Sequence, residues 1–265
     1  MVHPRLLALA LAVALPLGAC TAPFEGATPT PQRPTVSSDT NLTVAGTIEL
    51  ESGIAFEASE SFDTPNTLKL GLSDTAEAFV GFSPQRSTEV PGPNPRGAGD
   101  FVIGSRMKVA EEGSFGAAVQ IATRLPGGNG GDSEGREEAD FFVAGMASDQ
   151  FGDLGVTGFY QLGLIGDGDD DSILAEHTAA LAVGAPASDS VGLFGEIAGI
   201  FRPDLDSNAV LATAGASWAW APNLTLDGAL QIGLTEDAPD YLLLFGMTWN
   251  LGGILQRPRG PEVGP

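Results

Sequence analysis

The amino-acid sequence predicts an all-β protein, a closed antiparallel transmembrane β-barrel of about 12 strands with short periplasmic turns and longer extracellular loops. Three observations carry this expectation. Twelve segments alternate apolar and polar residues with a period of two, the signature of strands with two different faces. Most are about 9–13 residues long, well beyond the usual soluble strand of about 5–6 and long enough for a tilted strand to cross a bilayer. The connections between them alternate in length, as turns and loops do in outer-membrane barrels.

The chain opens on an address. Met1 to Arg5 is short and basic, and Leu6 to Leu15 is an apolar run too short to span a bilayer. Together with Leu17-Gly18-Ala19-Cys20 they read as a signal peptide over 1–19 ending in a lipobox. Cys20, the sole cysteine, would then be lipidated and become the mature N-terminus. Residues 20–41, with Pro23, Pro29, Pro31 and Pro34, read as a Pro/Thr-rich linker without a core. The barrel domain is expected over 42–252 and a C-terminal tail over 253–265.

Strands are expected at 46–58, 65–73, 75–83, 98–110, 114–125, 137–149, 154–165, 173–185, 190–202, 208–220, 223–234 and 240–251. The alternation is clearest in Leu224 to Leu234. There Leu224, Leu226, Leu230, Ile232 and Leu234 share one face, and Thr225, Asp227 and Gln231 the other. Short connections fall at Ser73-Asp74, Glu111 to Gly113, Gln150 to Asp153, Pro186 to Asp189 and Ala221 to Asn223. Longer ones fall at Ser59 to Thr64, Pro84 to Gly97, Pro126 to Arg136, Gly166 to Ser172, Pro203 to Ser207 and Thr235 to Pro239. An even strand number puts both chain ends on the periplasmic side, where an anchored Cys20 would also lie.

Composition agrees. Glycine, at 36 of 265 residues, is poor helix material but common in tightly turning sheet. Only 17% of residues are charged, which suits strands whose outer face must be apolar. The net charge of −22 excludes nucleic acid as a partner, because phosphates would go unneutralised. One cysteine excludes a disulfide framework and a Cys-based zinc site.

A sheet in hydrocarbon must close, or its edge groups stay unpaired. Projecting the alternation inward gives lumen-lining candidates Glu49, Glu51, Lys69, Glu77, Asp100, Arg106, Lys108, Gln120, Arg124, Glu138, Asp140, Gln161, Glu176, Glu196, Arg202, Asp227 and Gln231. Opposite charges among them could equally brace the wall. Trp218, Trp220, Tyr241, Trp249 and Tyr160 fit an interfacial aromatic girdle, whereas in a soluble sandwich they would be core.

From Gly46 to Gly252 the layout resembles the outer-membrane barrel family named for the meta-pathway of phenol degradation. The resemblance rests on GTIELESGIAFE, on RGAGDFVIGSRMKVAEEGSFGAAVQIATRLPGG and on the closing NLTLDGALQIGL…PDYLLLFGMTWNL. Gly97-Ala98-Gly99-Asp100 and Leu125-Pro126-Gly127 are its more specific pieces. It implies passage of small hydrophobic or aromatic compounds and supplies no catalytic residues. The lipobox and the residues beyond Leu251 depart from the family's pattern.

Other chemistry is sparse. Gly127 to Gly135 lacks the Gly-Lys-Ser/Thr of a phosphate loop. Asp167, Asp169 and Asp171 are weak Ca²⁺ candidates, because a twelve-residue loop from Asp167 would put Ser172 where glycine is needed and Thr178 in place of the bidentate Glu. No catalytic residue, resident metal or cofactor is expected. His177, the one histidine after the signal peptide, is projected outward without a serine beside it, so a hydrolase is disfavoured.

Two functions fit. The first is an outer-membrane channel or transporter for small solutes through a narrow, acid-rich lumen. The alternative is a non-transporting structural or surface lipoprotein whose barrel is plugged by the Pro-rich segment or the tail. Either implies outer-membrane lipid, lipopolysaccharide and the barrel-assembly and lipoprotein-processing machineries as partners.

Overall fold

The computed structural model describes residues 27–57, 61–88, 96–127, 138–167 and 172–253. Cys20, the expected signal peptide over 1–19 and residues 254–265 lie outside them.

Among the described residues fifteen strands form one antiparallel sheet. They are β1 (Thr47–Glu57), β2 (Ser61–Asp63), β3 (Asn66–Ser73), β4 (Ala76–Phe82), β5 (Arg86–Thr88), β6 (Arg96–Gly97), β7 (Phe101–Glu112) and β8 (Phe115–Leu125). The remainder are β9 (Asp140–Phe151), β10 (Leu154–Asp167), β11 (Ser172–Pro186), β12 (Val191–Arg202), β13 (Ser207–Ala221), β14 (Leu224–Gly233) and β15 (Tyr241–Gly253). Twelve of these make a ring in the order β1, β3, β4, β7 to β15, and β15 returns to β1 with Glu49 opposite Asn250 and Glu57 opposite Leu242. The barrel is therefore closed and no edge in the ring is left unpaired, as hydrocarbon demands.

Each expected strand is present, with ends shifted by a few residues. Three short strands are additional. β2, β5 and β6 lie within the stretches expected as the first two long loops and continue a ladder outward from the long-loop end of β1. Such loops are not featureless, because their backbone groups also need partners. A 3-10 turn, Pro203–Leu205, caps the β12–β13 connection.

Burial is inverted relative to a soluble protein. Large apolar side chains such as Leu181 and Ile197 stand out from the wall, 57% and 60% exposed, while Glu49 and Glu77 are 0% and 1% exposed inside it. Water would tolerate the opposite arrangement; a lipid solvent selects this one. A strand of 12 residues rises ~40 Å along its axis, which at ~40° tilt matches the ~25 Å apolar band of such barrels with residues to spare at each rim.

Trp218, Trp220, Tyr241 and Tyr160 are exposed on the outer face, and Trp218 meets Trp220 edge-on at 4.6 Å between centroids. Both chain ends of the ring, Thr47 and Gly253, lie on the short-turn side.

Candidate functional site: the occupied lumen

The segment before β1 does not trail away from the barrel. Residues 27–46, most of which read as linker in the sequence, run inside it. A peptide without a β-partner must still satisfy its backbone N–H groups, and here inward carboxylates do so. The Ala27 amide donates to Asn250 Oδ1 on β15 at 3.3 Å. Along β1, the Thr30 amide and hydroxyl donate to the two oxygens of Glu49 at 3.0 and 3.1 Å, and the Gln32 amide donates to Glu51 at 2.7 Å.

The segment then crosses the lumen to β12. The Val36 amide donates to one oxygen of Glu196 at 2.7 Å, and the Ser37 amide donates to the other at 2.9 Å. The Ser37 hydroxyl donates to that same second oxygen. It returns toward β8 and β4, where the Thr43 amide donates to Glu77 at 2.7 Å. It leaves the lumen at Gly46, whose amide donates to the Gly71 carbonyl at 2.7 Å. The turn inside is tied by Gln32 and Asp39, with Gln32 Nε2 donating to Asp39 and the Asp39 amide donating back to Gln32, both at 2.8 Å.

The neighbouring charges complete the clamp. Lys69 Nζ sits 2.5 Å from Glu49 and 2.8 Å from Glu51, and it donates to the Thr30 carbonyl at 2.7 Å. Arg106 Nη1 lies 3.4 Å from Glu77, while its Nε and Nη2 donate to Gln120. Buried charges persist only when paired in this way. The surplus of acids over bases on the inner wall thus has a structural cause: Glu196 accepts from the segment's own N–H and O–H groups, where another barrel would need a cation.

Arg33 lies across the wall at one level of the barrel. Gly53 of β1 pairs with Gly246 of β15, which pairs with Asp227 of β14. A Cβ on Gly53 would overlap the Arg33 guanidinium, and one on Gly246 would come within 3.0 Å of it, so glycine at both positions makes the recess. Arg33 Nη2 donates to the Phe245 carbonyl at 3.3 Å, and Asp227, 8% exposed, stands beside this charge.

The remaining candidates fall inside or at the rim. Arg124 pairs with Asp140 and reaches Asp100 at 3.9 Å, and its guanidinium lies 5.3 Å over the Phe142 ring. Arg202 bridges to Glu176 at 2.7 Å, Gln231 donates to Thr213 at 2.9 Å, and Lys108 pairs with Glu111 at 3.1 Å near the short-turn end. Glu138 stands at the long-loop rim against Gly166. Gln161 takes an inward register position opposite Thr178. Among the described residues, ion pairs thus brace eight of the twelve ring strands, β1, β3, β4, β7, β8, β9, β11 and β12.

One sector differs. Ala118, Ala144, Met146 and Phe159 form an apolar patch on the inner face of β8 to β10, and Ala122, Phe142 and Ile165 form a second with Phe79, Val102 and Leu174. The sequence reading missed it, although inward aromatic residues at 142 and 159 were legible from the alternation.

Among the described residues, two cavities lie beside the segment. One of about 350 Å³ lies toward the long-loop side, bounded by Asn66, Phe79, Phe82, Asp100, Val102, Arg106 and Gln120. The other, about 260 Å³, lies toward the short-turn side among Gly155, Thr157, Gly184, Phe194 and Ser217.

His177 faces outward, as expected, and its Nδ1 lies 2.7 Å from the Tyr160 hydroxyl. Among the described residues no three His, Cys, Asp or Glu side chains gather as metal ligands. Asp169 and Asp171 lie outside the described residues, and so does the side chain of Asp167.

A closed twelve-strand barrel with an apolar exterior and a charged, braced interior has the fold of outer-membrane β-barrel proteins. Solved structures agree. An outer-membrane channel from Pseudomonas putida F1 superposes with a TM-score of 0.67 at 12% identity, over 82% of this chain and 100% of that one. The NanC porin superposes at 0.55 with 11% identity over 77% and 100%, and the KdgM porin at 0.56 with 6% identity over 76% and 98%. No protein-family model and no curated protein matches the sequence.

Proposed function

We propose that this protein is an outer-membrane channel for small solutes, whose lumen is narrowed by its own residues 27–46. The observation that carries the reading is the pair of cavities, one toward each end of the barrel, separated by a thin segment and not by a packed core. Barrels of about eight strands can close their interior with side chains alone; this twelve-strand wall is wider, and residues 27–46 occupy the space it leaves. The structural neighbours that share the fold are described as a channel and as porins.

The inner apolar sector of Phe79, Val102, Phe142, Met146 and Phe159 supports small hydrophobic or aromatic solutes, the class that the resemblance to the phenol meta-pathway barrels implies. Lipidation of Cys20 would hold the N-terminal end of the segment at the periplasmic leaflet, the side from which residue 27 enters. Phospholipid and lipopolysaccharide would then be the surrounding partners.

Inward acids outnumber inward bases, so the channel is expected to prefer cations or neutral solutes. Reversal potentials in planar bilayers under a potassium chloride gradient test this directly; anion selectivity would refute the acidic-lumen reading. The alternative is a non-transporting surface lipoprotein, and the many hydrogen bonds that hold the segment favour it. It predicts no conductance from the purified chain under any condition that leaves the barrel folded.

A further inference from the structure

We infer that the Arg33 side chain is the septum of the channel and sets its ion preference, while the rest of the internal segment stays in place. This rests on the channel reading above.

The two cavities have different walls but share Gln32 and Arg33 in their linings. Those two residues therefore stand between the long-loop side and the short-turn side. They are held very differently. The Gln32 side chain is pinned at both ends, its Oε1 accepting from the Asp39 amide and its Nε2 donating to Asp39 and to the Asn41 carbonyl. Arg33 has one long bond, 3.3 Å from Nη2 to the Phe245 carbonyl, and its buried Nε has no hydrogen-bond partner.

Asp227, opposite, is likewise buried with neither carboxylate oxygen hydrogen-bonded. Arg33 Nε and both Asp227 oxygens are closed to solvent yet unbonded, so this level is shut by the bulk of the Arg33 side chain and not by a network that holds it there. The recess over Gly53 and Gly246 gives the guanidinium a parking place against the wall.

Apart from the single long bond to the Phe245 carbonyl, the segment's anchors do not use the Arg33 side chain. The bonds to Glu49, Glu51, Glu196 and Glu77 come from the amides of Thr30, Gln32, Val36, Ser37 and Thr43 and from two hydroxyls. Shortening residue 33 therefore joins the cavities without releasing the segment. It also removes a positive charge from beside Asp227 and leaves that acid, so permeating cations gain and anions lose.

The test is single-channel recording of the full chain in planar bilayers with potassium chloride, comparing the unaltered protein with Arg33→Ala, Arg33→Met and Glu196→Ala. Heat-modifiable migration first confirms that each barrel is closed. Arg33→Ala should conduct several-fold more than the unaltered protein and shift the reversal potential toward the cation limit. Arg33→Met, which keeps bulk but no charge, should show the selectivity shift with little gain in conductance. If Arg33→Ala matches the unaltered protein while Glu196→Ala conducts strongly, the channel reading stands and the Arg33 septum is overturned. If none of the four conducts, the channel reading itself falls. A larger conductance with unchanged selectivity would overturn the assignment of ion preference to Arg33.

Discussion

Among the described residues Glu196 is the internal segment's hydrogen-bond anchor on the far wall, so Glu196→Ala should loosen that segment without opening the barrel. The carboxylate is 4% exposed and accepts the amides of Val36 and Ser37 together with the Ser37 hydroxyl. Hydrogen bonds to a charged acceptor contribute roughly 1.5–3 kcal/mol each, and water entering the vacated site returns part of that. A net loss of about 3 kcal/mol is therefore reasonable for the set. At about 1.4 kcal/mol per factor of ten, the detached state should become roughly 100-fold more populated.

Hydrogen exchange in detergent reads this locally. The Val36 and Ser37 amides should exchange about 100-fold faster in the variant, in step with the population shift. The β12–β13 ladder, in which residue 196 pairs with Thr213 through the backbone, should keep its protection. Unchanged exchange at Val36 and Ser37 would refute the reasoning, because the segment would then be held elsewhere. Equal acceleration across β12 and β13 would refute it too, by showing that Glu196 supports the wall and not the segment.

Other outcomes follow from the same geometry. Lys69→Met leaves Glu49 and Glu51 buried without their cation, and breaking a buried ion group of this kind costs about 3–5 kcal/mol, so the folded band on a heat-modifiability gel should convert at a clearly lower temperature. Gly53→Leu places a side chain where the Arg33 guanidinium lies and should raise protease access to residues 27–46, whereas Ile54→Leu, on the outward face of the same strand, should not. His177→Phe keeps an outward apolar surface and breaks only the bond to Tyr160; it should leave conductance unchanged, and a loss of conductance would assign the outer face a role that the lumen account does not give it.

Much of the barrel was legible because its physics is local. Alternation over Leu224 to Leu234 fixes which residues face lipid, and Asp227 and Gln231 could only point inward. Pairing across strands was less legible. That Lys69 would meet Glu49 and Glu51, or Arg202 meet Glu176, depends on register, which turn lengths and bulges set. The internal segment was legible only as one of two plugs that the non-transporting alternative offered. Pro29, Pro31 and Pro34 have the composition of a linker, and nothing in a run of Thr, Pro and Ser says whether it lies in water or in a pore. The hint lay in the wall: glycines at inward positions 53 and 246, and more inward acids than bases. Each marks a place where something other than a wall side chain must fit.

The central claim is that a conducting barrel is narrowed by its own N-terminal segment. Liposome swelling with uncharged solutes of graded size, run on the full chain and on a chain lacking residues 27–46, tests it most directly. The account predicts slow entry of only the smallest solutes into liposomes carrying the full chain, and rapid entry of larger ones once the segment is gone. No swelling from either, with both barrels shown to be closed by their migration on gels, would contradict it and leave a structural surface protein in its place.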